Sequence, residues 1–408
     1  MKNNRVIFNV LFAMVLFSGC GGSQSGTFQY PHQQNGSGEP TPPPPNSQIS
    51  IWSKTYPGTD AYFINKTDDG NFAVCGRHYH NGSMQNQSEA IVYVIDSDGN
   101  AVGYNYIENT LSTNTCKSIY NTSDGGFIVA NESYTISPSP GYNIGVLKLS
   151  SSATNIEWRR DYSKSDWDRV GGAIQSHDGE YVLSGTVFLG EDRPWMIKLD
   201  GDGNQISELY FGGPGDKRIY SFSQTSDGGY VFVGESNPDG PDPKTAWFYK
   251  MDSSGNKQFE KVLGVANDEA RSVQQASDGG YILAGKISGY LLTKLNRYGE
   301  IEWQRGLAEQ GIALSVKQTA GSGYVYVGGT DIGNPGTNAF ISKTDSLGNQ
   351  EWKRVFGGSD YDFAWSVELT NDGGYIFAGS TRSLGSRNRE FWVTKLDSNG
   401  NTSISPID

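Results

Sequence analysis

The chain is short of the residues from which most catalytic and metal sites are made. Of its 408 residues only 4 are histidine and 3 are cysteine, and charged residues amount to 19%. With so few histidines no Ser/His/Asp or Cys/His order stands out as a nucleophilic set. His78-Tyr79-His80 brings two imidazoles together, but two ligands do not make a zinc site, and the pair reads as an exposed polar loop. A phosphate-binding loop is missing too, because no Gly-Gly pair in the folded region leads into Gly-Lys-Ser/Thr. Long apolar runs are absent: Val6 to Phe17 falls short of the ~20 residues a spanning helix needs. A formal net charge of −12, from 32 Lys/Arg against 44 Asp/Glu, argues against a nucleic-acid partner. Low charge combined with 53 glycines and 23 tyrosines also excludes helical bundles and coiled coils. Nothing selects a catalytic pair among the acids, so no catalytic residue and no cofactor is assigned.

The N-terminus reads as an address. Lys2 and Arg5 precede the apolar run, which ends in the small residues Ser18-Gly19, so residues 1–19 form a secretory signal. Leu16-Phe17-Ser18-Gly19-Cys20 resembles a bacterial lipobox, with Phe17 where leucine is usual. The resemblance implies that Cys20 is lipidated and becomes the first mature residue. Gly21, which is not aspartate, implies sorting to the outer membrane of a bacterial envelope. From Cys20 to Gln48 the chain is rich in Gly, Ser, Gln and Pro, including Pro42 to Pro45, and is expected to be a disordered tether.

From residue 49 onward one phrase recurs seven times. It reads TDDGNFAVCG from Thr67, TSDGGFIVAN from Thr122, SHDGEYVLSG from Ser176 and TSDGGYVFVG from Thr225. It continues as ASDGGYILAG from Ala276, TAGSGYVYVG from Thr319 and TNDGGYIFAG from Thr370, with spacings of 43 to 55 residues. A period near ~50 with four short strands per unit signals a β-propeller. In each unit a first strand leads through a tight hairpin, Asp-Gly-Gly in four of them, to a β-branched and aromatic second strand. A variable loop, a third strand, a second tight turn and a fourth strand follow. Six residues before the turn, five copies carry Ser118, Ser221, Ser272, Ser315 and Ser366. If the first strands line a central channel, small residues there let them converge. Ile49 to Tyr56 matches a fourth strand but precedes the first unit, while the last unit has only a weak fourth. The N-terminal strand is therefore expected to complete the last blade and close the ring, leaving no open edge.

Units such as Phe356 to Thr402 resemble the Asp-Gly-Gly-Tyr propeller repeats of secreted bacterial and archaeal proteins, over residues 49–408. The Leu/Met-Asp…Gly-Asn…Trp stretch also resembles the tryptophan-docking repeat of quinoprotein-like propellers. Trp52, Trp158, Trp303 and Trp352 occupy that place, whereas Ser207 and Phe259 replace it elsewhere and the blades number seven, not eight. The resemblance implies an all-β, seven-bladed propeller of four-stranded blades and little about activity.

Asp200-Gly201-Asp202-Gly203-Asn204 and Asp96-Ser97-Asp98-Gly99-Asn100 look like the starts of calcium loops. Neither reaches a bidentate glutamate, and sister turns lack the extra acid, so hairpin turns are the better reading and no metal is expected. Cys75 ends the second strand of the first unit and Cys116 starts the first strand of the second. In an oxidising compartment they form a disulfide, which would contribute ~4 kcal/mol in the chain-entropy model, or stay as buried free thiols. The longest loops, 77–89, 132–143, 235–245 and 380–390, vary from unit to unit, and variable loops on a rigid scaffold tend to carry binding. On the same face the inner-strand starts offer Trp167, Asp168, Arg169, Arg218, Tyr220, Glu269, Arg271, Tyr361 and Trp365. Aromatics with arginines and acids at a channel mouth suit a glycan or a peptide. The expectation is a monomeric, lipid-anchored propeller that binds a glycan or envelope protein without catalysis. An outer-membrane assembly scaffold and an enzyme on cell-surface polysaccharide are the alternatives.

Overall fold

A computed structural model describes residues 50–79, 88–107, 112–135, 141–237, 244–307, 311–330, 336–385 and 389–406. The signal segment, Cys20, the tether, His80 and parts of the long loops lie outside the described residues. Every sheet is a four-stranded antiparallel blade, and there are seven. Blades 1 to 6 span residues 60–107, 112–161, 169–210, 216–263, 269–307 and 311–356, each running in chain order from an inner to an outer strand. Blade 7 takes Phe363–Leu369, Tyr375–Thr381 and Glu390–Leu396 from the C-terminus and Trp52–Tyr56 from the N-terminus. Trp52 lies opposite Lys395 and Tyr56 opposite Phe391, so the two ends of the propeller are zipped together. The all-β, seven-bladed ring and its closure by the N-terminal strand are as the repeat implied.

There is no single core. Seven apolar clusters each lie between two consecutive blades. This explains why the second and third strands are apolar on both faces: each blade is sandwiched by its neighbours. Cys75 and Cys116 are bonded to each other, with Cα atoms 5.6 Å apart, inside the cluster between blades 1 and 2. Both sit mid-strand, in Phe72–Tyr79 and Ser112–Asn121, because these strands run further toward the loops than the sequence reading placed them.

Outer strands dock onto the next blade through tryptophan. Trp52 and Trp158 donate their indole N–H to Ser97 O at 3.0 Å and Gly201 O at 2.9 Å. The ring lies on the turn glycine of the adjoining blade: a Cβ at Gly99 would come within 2.8 Å of Trp52, and one at Gly348 within 2.7 Å of Trp303. Those glycines also hold φ near +75° and +78°, which suits glycine alone at little cost. A basic residue two places on covers the tryptophan, as Lys54, Arg160, Arg305 and Arg354 do.

The hairpin aspartate does more than bend the chain. A lysine of the third strand, almost wholly buried, reaches it in four blades: Lys148 to Asp124 at 2.8 Å, Lys250 to Asp227 at 3.0 Å, and Lys294 to Asp278 and Lys395 to Asp372 at 2.7 Å each. Burial opposes ionisation of Asp124, but hydrogen bonds from Lys148, Thr122 and the Gly126 amide outweigh it and hold the carboxyl at about 2, against an ordinary 3.8. Because the folded value is the lower one, this contribution is complete above the ordinary value and is lost as pH falls toward 2. Urea unfolding followed by tryptophan fluorescence should show stability falling between pH 4 and pH 2. Asp124→Asn should cost about 1 kcal/mol at neutral pH, since Asp124 is half exposed and Lys148 keeps Glu157, and should flatten that dependence.

Candidate functional site at the channel mouth

The inner strands face one another across the axis and cannot pair, so their free edges need other partners. The residues six before the hairpin turn form a complete ring: Phe63, Ser118, Gly172, Ser221, Ser272, Ser315 and Ser366 all line one cavity of 150 Å³. Smallness is only part of their role. The amide N–H groups of Ala173, Val316 and Val367 donate to Ser118, Ser272 and Ser315 Oγ of the preceding blade, at 3.0, 3.4 and 3.3 Å. Further along, the side-chain oxygens of Gln175, Gln224, Gln275 and Gln318 accept the backbone N–H of Ser123, His177, Ser226 and Ser277 at 2.6 to 2.8 Å. These hydroxyls and amides stitch neighbouring blades where no sheet ladder exists.

One residue before the ring position, each inner strand slips register by a β-bulge. The extra residue is Tyr62, Lys117, Gly171, Tyr220, Arg271, Leu314 or Trp365 in blades 1 to 7, and all seven line the same cavity. A bulge re-aims the side chain it inserts, and here six side chains and Gly171 meet at one aperture. Tyr62 meets Trp365 edge-on at 5.5 Å, Phe363 stacks on Trp365 at 5.1 Å, and Lys117 lies 5.4 Å over the Tyr62 ring. Opposite, the Arg271 guanidinium stacks on Tyr220 at 4.0 Å and pairs with Glu269 at 2.5 Å. Burial pushes the Tyr220 phenol up, with Arg271 opposing; burial and then Asp60 push Tyr62 up, so both stay neutral donors. On the rim, buried Asp60 is gripped by Arg77 at 2.8 Å and Arg389 at 3.1 Å, and Arg218 pairs with Asp192 and with Glu235 at 3.3 Å.

The passage narrows below the mouth. A second cavity of 430 Å³ opens toward the hairpin face, and Phe63, Tyr120, Ser221, Ser272, Ser315 and Ser366 line both. Phe63 and Tyr120 lie 5.0 Å apart at this waist, and Lys317 and Glu368 form an ion pair beneath it.

Of the nine candidates, Tyr220, Arg271 and Trp365 line the channel, with Arg218 and Glu269 beside them. Arg169 turns outward, lying 3.7 Å over the Tyr142 ring and pairing with Glu132 at 3.2 Å. Trp167 packs near the same ring at 5.9 Å and is 50% exposed; Tyr361 is 48% exposed beside Arg382. Asp168 is no surface group. It is fully buried and takes the backbone N–H of Lys164 and Ser165 and the Ser165 hydroxyl at 2.5 to 3.0 Å. Asp268 and Asp362 do likewise in their own blades, so this aspartate clamps the connection between blades. Tyr62, Phe63, Lys117, Gly171 and Leu314 were missed, although their place seven or six before each turn was legible once the repeats were aligned. Among the described residues no group of three His, Cys, Asp or Glu could hold a metal.

Its likeness to known proteins is one of fold. No protein-family model matches the chain, and no curated protein matches it in sequence. Among solved structures it is similar to Chaetomium thermophilum Sqt1, at 9% identity over 87% of this chain and 99% of that one, with a TM-score of 0.54. The periplasmic gluconolactonase PpgL of Pseudomonas aeruginosa shares 13% identity over 75% and 87%, with a TM-score of 0.52. A protein of unknown function from Dyadobacter fermentans shares 9% over 85% and 96%, with a TM-score of 0.51.

Asp168→Ala should separate scaffold from site. Two backbone donors lose their acceptor, so unfolding by urea should show a loss of roughly 3 kcal/mol, with the channel lining unchanged.

Proposed function

We propose that the chain is a lipid-anchored, extracytoplasmic β-propeller that holds a glycan or protein partner at its channel mouth and performs no chemistry there. The observation that carries this reading is the ring of seven bulges, which places three aromatic and two cationic side chains around one aperture. Flat aromatic faces suit the apolar faces of sugars or an aromatic side chain, and Lys117 and Arg271 supply charged donors beside them. The Asp-Gly-Gly-Tyr repeat and the tryptophan docking that resembles quinoprotein-like propellers support an envelope address, and the Leu16 to Cys20 motif supports Cys20 as the lipid attachment point. An assembly scaffold at the outer membrane is the protein-partner form of the same reading.

On a glycan array run beside a pull-down from envelope extract, the full chain should give saturable binding to one class. Trp365→Ala and Arg271→Ala should each weaken that binding at least about tenfold, or ~1.4 kcal/mol, with the fold intact by circular dichroism. Binding that survives both changes would remove the mouth from consideration. Cys20→Ser should move the protein from the membrane to the soluble fraction; retention on membranes would refute the anchor.

A further inference from the structure

The sixth copy of the hairpin phrase, in blade 6, breaks the pattern. Where sister blades read Asp-Gly-Gly, Asp-Gly-Glu or Asp-Gly-Asn, it reads Gly321-Ser322-Gly323. Two consequences follow in space. First, the third-strand lysine loses a partner. In blades 2 and 5 the equivalent lysine binds two carboxylates: Lys148 holds Asp124 at 2.8 Å and Glu157 at 3.2 Å, and Lys294 holds Asp278 at 2.7 Å and Glu302 at 2.9 Å. Among the described residues Lys343 keeps only the strand-four acid, Glu351. Second, the vacated place is open. A Cβ built on Gly321 meets nothing within 4 Å, and a 410 Å³ cleft runs between blades 6 and 7, lined by Gly321, Lys343, Glu351, Leu369, Thr370 and Tyr375.

The turn is also held in a conformation its own residue disfavours. Ser322 has φ +61°, at the position where Gly125, Gly228, Gly279 and Gly373 supply φ of 78° to 81° in sister blades. A hairpin that has lost both its aspartate and its glycine, yet keeps the same backbone path, is over-determined by its surroundings, and such places recur at ligand sites.

We propose that this cleft binds a small carboxylic acid with an apolar body, whose carboxylate takes the place of the missing aspartate beside Lys343. Blades 2 and 5 already hold two carboxylates on one lysine, so the added negative charge has a precedent in the same fold, while Asp345, which also lines this cleft, stands where those blades have Ser150 and Asn296. Leu369 and the Tyr375 ring supply the apolar wall for the rest of the molecule. The site lies on the hairpin face and is separate from the channel mouth.

Benzoate is the probe and benzamide its neutral isostere, each titrated into the full chain by saturation-transfer NMR. Benzoate should bind saturably and benzamide at least about tenfold more weakly, the share of one charged hydrogen bond. Gly321→Asp should abolish benzoate binding and raise the melting temperature, because the protein then carries its own carboxylate. Lys343→Gln should abolish binding without that rise, and serves if Gly321→Asp does not fold. Trp365→Ala should leave benzoate binding unchanged. Absence of benzoate binding, equal binding of benzamide, or binding that survives both Gly321→Asp and Lys343→Gln would overturn the proposal. Loss of benzoate binding in Trp365→Ala would move the site to the channel and overturn it equally.

Discussion

Everything near the axis follows from one constraint: seven inner strands converge edge-on and cannot hydrogen-bond to one another as a sheet. Their edge amides must be met by side chains, and the side chains must be small enough to let the strands approach. Serine satisfies both demands, accepting an N–H from the next blade while occupying little room, as Ser118 does for Ala173. The glutamines one turn nearer the hairpins serve the same need. The bulge immediately before each serine bends the strand and turns one residue toward the axis, so the device that manages the edge also furnishes the mouth.

Away from the axis the strategy changes from polar stitching to apolar packing. Each of seven clusters joins two blades, and tryptophan on the outer strand seats on the next blade's turn. Such an array would leave two exposed terminal blades if it did not close. Pairing of Trp52–Tyr56 with Glu390–Leu396 removes them, and the disulfide between blades 1 and 2 sits beside that closure in the chain.

Repetition also makes departures informative. Phe63 stands where other blades have serine or glycine, and it packs against Tyr120 beside the channel. Gly321 stands where others have aspartate, and a cleft opens beside Lys343. In each case the scaffold is unchanged while one local residue decides whether a space is filled or empty.

The sequence by itself determined the architecture. A hairpin phrase recurring seven times, a four-strand rhythm and a displaced fourth strand at Ile49 to Tyr56 are local patterns, and local patterns are what a linear reading detects. Only the tertiary structure decided which side chains meet. Asp168 and Arg271 look equally polar at the starts of their strands, but one faces the backbone of the interblade connection and the other the channel. Asp168 lies just ahead of the strand Arg169–Gln175, whereas Arg271 is the bulged residue within its strand, and the bulge turns its side chain toward the axis. The partnership of Lys148 with Asp124, and its loss at Lys343, likewise joins residues from strands whose pairing the linear sequence does not display.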